Sequence, residues 1–512
     1  MKKNAFLLLI FLIISKFLGI IRESFLGFYY GSTYITDSYL AASQIPNVIF
    51  AFIAAGLVST FIPIYSQIIN REGQERADNY LDNILSLVFV SSLILTAFGL
   101  IFTEELVFLL RPGFTGVAFE LTVKFLRVTL FAMLSNGVFS IFSGYQQYHD
   151  RFLVGPVGGF IMNFIVITSI IVSAKTDPII LAYGLVIASV AQVVMTYSVA
   201  RFKSGYRFKP GINLKDRYLK PMLIMAMPII FGSSIGQINN VIDGSFASNL
   251  PEGATSILNY SSKISGAIFG LFVSSITTVM YPTIIKQAAK GNIEGMKNTV
   301  IKILNTIAII IIPSSIGLMV LSTPIVDLFY GRGVFAADPE SLALTASVLI
   351  FASIGLIGQS LKDVMVRAFY SLHDSMTPVL SGIVGVVVNV LFNFLLAPTM
   401  GVAGLALATS ISALVSFVVL YIGLNRKING IPISRLFKTF VKVIFASLIM
   451  GAIAYFGYAF LSGLSIDYKI SMFISIGAAG LAYIVMLYFF KIEEFDELWN
   501  MAFSKVKSLA KK

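Results

Sequence analysis

Long apolar runs separated by short polar segments fill almost the whole chain. An α-helix needs about 20 apolar residues to cross the hydrocarbon core of a bilayer, and the runs reach or exceed that length. We therefore predict an all-α polytopic membrane protein with 14 transmembrane helices. The predicted spans are residues 5–28, 37–69, 79–103, 119–147, 152–174, 178–200, 220–249, 254–287, 299–321, 341–371, 376–398, 401–424, 434–462 and 468–491.

Composition supports this class and excludes several kinds of chemistry. The 512 residues are 57% hydrophobic and 12% charged, whereas soluble domains run at about 45–50% apolar and about 25% charged. The sequence contains no cysteine, which excludes disulfides, thiol nucleophiles and cysteine-ligated metals. With two histidines, His149 and His373, a histidine-based catalytic or metal cluster is nearly excluded as well. The scarcity of such groups argues against an enzyme.

The net charge of +12 is concentrated in particular loops. Basic residues accumulate after the sixth, eighth and twelfth spans and in the tail, whereas the loops on the other side carry few. By the positive-inside rule we predict that both termini are cytoplasmic, and the charge is a topology signal and not a nucleic-acid footprint. The basic residues are Arg201, Lys203, Arg207, Lys209, Lys215, Arg217, Lys220, Lys286, Lys290, Lys297, Arg426, Lys427, Arg435, Lys505, Lys507, Lys511 and Lys512.

The first six spans repeat in the next six. "GYQQYHD" (144–150) ends the fourth span and "AFYSLHD" (368–374) ends the tenth. Six is an even number, so both copies start on the same side, which makes a parallel repeat with the substrate between the halves. We predict two six-helix lobes around a central cavity plus two C-terminal helices. The predicted segments are 1–200 (first lobe), 201–219 (cytoplasmic linker), 220–424 (second lobe) and 425–512 (last two spans and basic tail).

Charged residues interrupt the apolar runs. The first span contains "SKFLGIIRESFLG" with Lys16, Arg22 and Glu23, and Lys263 lies a few residues into the eighth span. A charge at the centre of a spanning helix costs about 2.5–3.5 kcal/mol on insertion scales. Because of this cost, we predict that these charged residues have a functional role. Cations facing a water-filled cavity suit an anionic cargo, and arginine grips phosphate with a fork of donors. The alternative for Lys16 and Glu23 is a structural ion pair.

A second polar set predicts an ion site. Asp243 lies on the seventh span, Asn389 and Asn393 on the eleventh, and Thr409 on the twelfth. Asn389 and Asn393 are four residues apart and share a helix face. Oxygen donors around one carboxylate suit Na⁺ or a proton relay. The alternative is ordinary hydrogen bonding between helices.

Four strings carry a resemblance to a known family. They are "SKFLGIIRESFLGFYYGSTYITDSYLAASQIPN" (15–47), "GYQQYHDRF" (144–152), "GQINNVIDGSFAS" (236–248) and "RAFYSLHDSMTPV" (367–379). They resemble the MurJ/MviN family of bacterial lipid II flippases, members of the multidrug/oligosaccharidyl-lipid/polysaccharide exporter superfamily. The resemblance implies cavity cations at Lys16, Arg22 and Lys263, an acidic partner at Asp37, and a Na⁺ site at Asp243, Asn389, Asn393 and Thr409. The family usually has arginine where Lys16 and Lys263 stand.

Together these features predict a function. The expected activity is flipping of lipid II, undecaprenyl-diphosphate disaccharide-pentapeptide, from the inner to the outer leaflet by alternating access. We expect the protein to act as a monomer in the bacterial cytoplasmic membrane, without a cofactor. Flipping is expected to be driven by Na⁺ or proton coupling or by the membrane potential. Expected partners are lipid II or a similar glycan lipid, membrane lipids and cell-wall synthesis proteins, without nucleic acid. The alternatives are a flippase for another lipid-linked oligosaccharide and a multidrug/cation antiporter.

Overall fold

The computed structural model of the protein describes residues 2–464 and 466–497. The basic tail residues Lys505, Lys507, Lys511 and Lys512 lie outside them. Residues 2–489 form nineteen α-helices and one π-helical segment, and residues 493–497 are also helical. In chain order these are α1 (Lys2–Tyr30), α2 (Tyr34–Glu72), α3 (Gln74–Ile101), α4 (Thr103–Leu110), α5 (Gly116–Thr129), α6 (Ala132–Tyr148), α7 (Val154–Ser173), α8 (Ile180–Ser204), α9 (Leu219–Ser248), α10 (Ala254–Ile268), the π-helical segment (Phe269–Val273), α11 (Ser274–Ala289), α12 (Ile293–Val320), α13 (Ser322–Tyr330), α14 (Gly333–Ala336), α15 (Pro339–Ser371), α16 (Met376–Met400), α17 (Val402–Lys427), α18 (Ile433–Gly463) and α19 (Tyr468–Phe489).

The helices confirm the predicted class, an all-α membrane protein. Every predicted span coincides with one helix or with a helix pair. Among the described residues, 10 helices are long and apolar enough to cross a membrane, or up to 11 if the bent pair α5 and α6 is one span. The count of 14 is consistent with this and stays a prediction.

The fourth predicted span is broken, which the sequence did not indicate. We expected one helix over 119–147, but α5 and α6 meet at an angle of 43°. Two hydroxyl groups connect the break to neighbouring helices: Thr129, the last residue of α5, donates to the carbonyl oxygen of Ala42 on α2 (2.7 Å), and Thr96 on α3 donates to the carbonyl oxygen of Leu130 at the break (3.3 Å). A side chain that bonds a carbonyl within a helix favours a bend at that point.

Contacts divide the chain into two compact units. The first contains Met1–Asn259 and Arg332–Ser341, and the second contains Tyr260–Gly331 and Leu342–Lys512. The four segments predicted from the sequence stay a prediction.

The core of the first unit is aromatic at one end. Phe61 stacks on Tyr80 with ring centroids 6.1 Å apart, and Tyr65 meets Tyr145 edge-on at 5.7 Å. All four side chains are buried. Aromatic pairs of this geometry stabilise a core beyond the area that they bury, so the ends of α2, α3 and α6 are firmly joined here.

The second unit has a core in which α12 packs on α18 and α19. Ile309, Ile312, Met450 and Tyr483 belong to this cluster. The Tyr483 hydroxyl donates to the carbonyl oxygen of Ile309 (2.7 Å).

Helices α16 and α17 form a tight hairpin, as the short connection predicts. Gly401 alone separates them and adopts φ = 57°, a conformation that suits glycine.

Candidate functional site

The first polar group lies on α1 and is built around a buried carboxylate. Glu23 is 2% exposed. One of its oxygens lies 2.6 Å from Nη2 of Arg22, and the other accepts a hydrogen bond from Nδ2 of Asn259 on α10 (3.1 Å). The Arg22 side chain keeps 20% of its surface exposed. The structure therefore pairs Glu23 with Arg22, whereas the sequence had suggested Lys16 as an ion-pair partner.

The other two predicted cavity cations lie on α1 and α10. Lys16 has an exposed side chain, and no carboxylate of the described residues lies within ion-pair distance of it. Lys263 is half-buried on α10 in the second unit. It follows Asn259 by four residues, so the two share a face of α10. Substrate binding by Lys16, Arg22 and Lys263 stays a prediction.

Asp37, predicted as the acidic partner, caps a helix. Its carboxylate is 4% exposed and accepts hydrogen bonds from the backbone N–H groups of Gly253 (2.9 Å) and Ser256 (2.8 Å) at the start of α10. The first N–H groups of a helix have no partner within the helix, and a negative charge is favoured there. Asp37 thus fixes the N-terminus of the helix that carries Lys263.

Sequence reasoning missed Arg111, which follows α4. Its guanidinium is 2% exposed, and it donates to two neutral acceptors, Oε1 of Gln44 (2.9 Å) and the carbonyl oxygen of Leu110 (2.7 Å). Gly244 of α9 lies directly against it, because a Cβ there would come within 2.5 Å of Nη2. A cavity of about 10 Å³ adjoins it, which is room for about one water molecule. The sequence signal was a basic residue in a loop otherwise poor in them.

The second polar set splits between the two units. In the second unit Asn393 donates to Oδ1 of Asn389 (3.0 Å), Asn389 donates to Oγ1 of Thr409 (3.1 Å), and Thr409 donates to the carbonyl oxygen of Leu405 (3.0 Å). Both asparagines are 0% exposed. Asp243 belongs to the first unit, where Asn239 donates to it over 3.4 Å. The amide chain joins α16 to α17, which is the hydrogen-bonding alternative; ion binding stays a prediction.

The described residues hold no cluster of three or more histidine or acidic side chains that fits a metal ion. What they do hold is a set of buried polar groups distributed over long apolar helices. An array of membrane-length helices that carries buried polar groups defines the class of the protein, a multi-pass membrane protein.

Comparison with known proteins narrows this class to one family. The family model described as Lipid II flippase MurJ matches residues 27–494. The chain belongs to this family, which confirms the resemblance found in the sequence and the prediction of a transporter and not an enzyme. Among relatives, the lipid II flippase MurJ of Burkholderia cenocepacia is 24% identical over 453 residues, covering 86% of this chain and 87% of that protein. A probable lipid II flippase MurJ from Rickettsia prowazekii is 28% identical over 415 residues, covering 80% of each.

Solved structures show the same fold. A lipid II flippase MurJ in an inward closed conformation matches with a TM-score of 0.79 at 24% identity, covering 95% of this chain and 99% of that one. An inward-facing multidrug resistance transporter of the MATE family matches with a TM-score of 0.69 at 14% identity, covering 81% and 94%. The protein is therefore a multi-pass bacterial membrane protein with the fold that these transporters share.

Proposed function

We propose that the protein moves lipid II from the inner to the outer leaflet of the bacterial cytoplasmic membrane by alternating access, with Lys16, Arg22 and Lys263 neutralising the diphosphate in a central cavity. Family membership supports the cargo, since the relatives above are named for lipid II. The observation that carries the binding role is the Arg22–Glu23 pair.

The pair explains how a cation is kept in an apolar helix. A buried carboxylate 2.6 Å away favours the charged guanidinium, and Asn259 satisfies the second oxygen of Glu23. A guanidinium carries five N–H donors in a fixed fork, enough to hold Glu23 and a phosphate oxygen together. Its partly exposed side chain keeps the group accessible to a ligand.

The physical problem of flipping favours such a site. A diphosphate headgroup must pass about 30 Å of hydrocarbon, and removing even one ion from water costs several kcal/mol. Cations in a cavity replace part of the lost hydration while the prenyl tail stays in lipid. A membrane potential that is negative inside favours return of the empty cationic cavity, by about 2.3 kcal/mol per charge for each 100 mV crossed. Coupling to Na⁺ or protons through Asp243, Asn389, Asn393 and Thr409 is the alternative energy source.

The binding role is tested by measuring lipid II affinity of the full chain in detergent by native mass spectrometry. A hydrogen bond to a charged group contributes about 1.5–3 kcal/mol, and 1.4 kcal/mol is a factor of about 10. We therefore expect Arg22→Ala to bind lipid II about tenfold more weakly. Arg127→Ala is the matched control, because Arg127 is an exposed arginine on α5 paired with exposed Glu104. Unchanged affinity of a folded Arg22→Ala protein would contradict the assignment.

The same assay separates the alternatives. A multidrug/cation antiporter would bind organic cations, which a cationic cavity repels, and a flippase for another glycan would prefer a different undecaprenyl-diphosphate lipid. Competition with undecaprenyl diphosphate, which lacks the sugar, distinguishes recognition of the diphosphate from recognition of the glycan.

A further inference from the structure

The segment between α8 and α9, here called the strap (residues 205–218), is bound along α3. The Tyr206 hydroxyl donates to Oδ1 of Asp82 (2.5 Å). The backbone N–H of Asn213 donates to Oδ1 of Asn83 (2.8 Å), whose Nδ2 donates back to the carbonyl oxygen of Asn213 (3.0 Å). The N–H of Gly211 donates to the Ser86 hydroxyl (3.2 Å). The strap is therefore fixed to the first unit by its backbone and is not a free tether.

Ion pairs at Asp216 and Arg217 hold the C-terminal end of the strap against the first unit. Asp216 is 7% exposed and lies 2.9 Å from Nη2 of Arg76. Glu72, at the end of α2, is paired with Arg217 and accepts a hydrogen bond from the Tyr218 hydroxyl. Asp216 is the single acidic residue of the strap. Because it is buried and paired with Arg76, it does not offset the positive charge on the strap's surface.

The outward side of the strap combines basic and apolar side chains. Arg207, Lys209 and Lys215 are exposed. Between them Phe208, Ile212 and Leu214 are 39%, 53% and 71% exposed. The result is a fixed surface of three cations interleaved with three large apolar side chains.

We propose that this surface of the strap binds the headgroup layer of anionic phospholipids. Cations near a membrane surface attract anionic lipids, and apolar side chains at the headgroup boundary add burial. A topology signal requires the basic residues alone. It explains neither the exposed apolar residues between them nor the hydrogen bonds that hold the backbone in place. The strap thereby anchors the first half of α3 and the start of α9 to the membrane surface.

The test uses the full chain in vesicles and a tryptophan reporter. Trp499→Phe removes the single tryptophan of the sequence, and Leu214→Trp places a reporter on the strap. The probes are vesicles of phosphatidylcholine and phosphatidylglycerol in which one or the other lipid is brominated, at equal mole fractions. We expect brominated phosphatidylglycerol to quench the strap reporter about twofold more strongly than brominated phosphatidylcholine, with the difference reduced at high salt.

Two matched controls make the result specific. A second reporter, Phe473→Trp on α19, replaces a side chain of the second unit that is 60% exposed, and we expect equal quenching by the two lipids there. Arg207→Gln/Lys209→Gln removes two strap cations and abolishes the preference, whereas Lys286→Gln/Lys290→Gln removes two cations elsewhere and leaves it intact. Equal quenching of the strap reporter by both lipids, or no quenching, would overturn the proposal.

Discussion

The carboxylate of Asp37 lies 2.8 Å from the backbone nitrogen of Ser256, so the start of α2 caps the start of α10 across 219 residues of chain. The bond is buried, and it joins the second helix of the protein to the helix that carries Lys263. Any motion that separates these two helix ends must break a charge-assisted hydrogen bond in a dry environment. In this structure Asp37 therefore stabilises the N-terminus of α10.

Replacing Asp37 by asparagine should destabilise the protein. The amide keeps one acceptor oxygen but turns an N–H₂ group toward the second backbone N–H of α10. Loss of a buried hydrogen bond with a charged partner costs about 1.5–3 kcal/mol, so we expect a lower melting temperature in detergent. Glu120→Gln, which neutralises an exposed carboxylate on α5, should leave the melting temperature unchanged. Equal stability of Asp37→Asn and wild type would show that the cap contributes little.

Arg111 and Gly244 should show strong energetic coupling. A Cβ at position 244 would collide with the guanidinium, since its nearest contacts are 2.5–2.7 Å to Nη2, Cζ and Nη1 of Arg111. We therefore expect Gly244→Ala to destabilise the wild-type protein and to have much less effect in an Arg111→Ala background. A double-mutant cycle on thermal stability should give a coupling of about 0.5–3 kcal/mol. Additive effects of the two substitutions would contradict the packing described here.

Acid should weaken the contact between the start of α16 and the end of α17, where Lys427 pairs with Asp374. Burial alone would raise the pKa of Asp374, but hydrogen bonds from Lys427 and Thr377 outweigh it and lower the pKa from 3.8 to about 2. A carboxyl group with a depressed pKa stabilises the folded state above its unfolded value, and that contribution is lost as the pH falls from about 4 toward about 2. Asp374→Asn should therefore lower the melting temperature at neutral pH and match wild type at the acid end. A constant difference across this range would contradict the assignment.

The hydrogen bonds that link Asn393, Asn389 and Thr409 should stabilise the fold whether or not an ion is present. Thr409→Val keeps the shape of the side chain and removes the oxygen that accepts from Asn389. A buried donor left unsatisfied costs about 1–3 kcal/mol, so we expect a lower melting temperature in sodium and in choline chloride alike. A loss confined to sodium would instead show that these residues bind the ion.

The helices were predictable because a membrane imposes a length. Every apolar run long enough to span coincides with a helix or a helix pair, and short connections such as the one at Gly401 fixed where helices turn. The short helices α4 and α13 were not predicted, since at eight and nine residues they are too brief for that signal. The bend between α5 and α6 depends on hydroxyl groups reaching neighbouring helices, which local sequence does not reveal.

The candidate site was predictable in its residue types and not in its partners. Charge within an apolar run pointed to Arg22 and Lys263 because of its cost in a membrane. The partner of Asp37 is a helix terminus more than 200 residues away, and no spacing rule links the two. Glu23 was visible beside Arg22, but Asn259 could be recognised as its second partner only once α1 and α10 were placed.

The central claim is that Arg22 neutralises the diphosphate of lipid II during flipping. The most direct measurement is exposure of labelled lipid II at the outer leaflet of bacteria that are depleted of their own lipid II flippase and express this protein. We expect wild type and Arg127→Ala to restore exposure, and Arg22→Ala to abolish it at equal protein level in the membrane. Exposure restored equally by Arg22→Ala would contradict the claim.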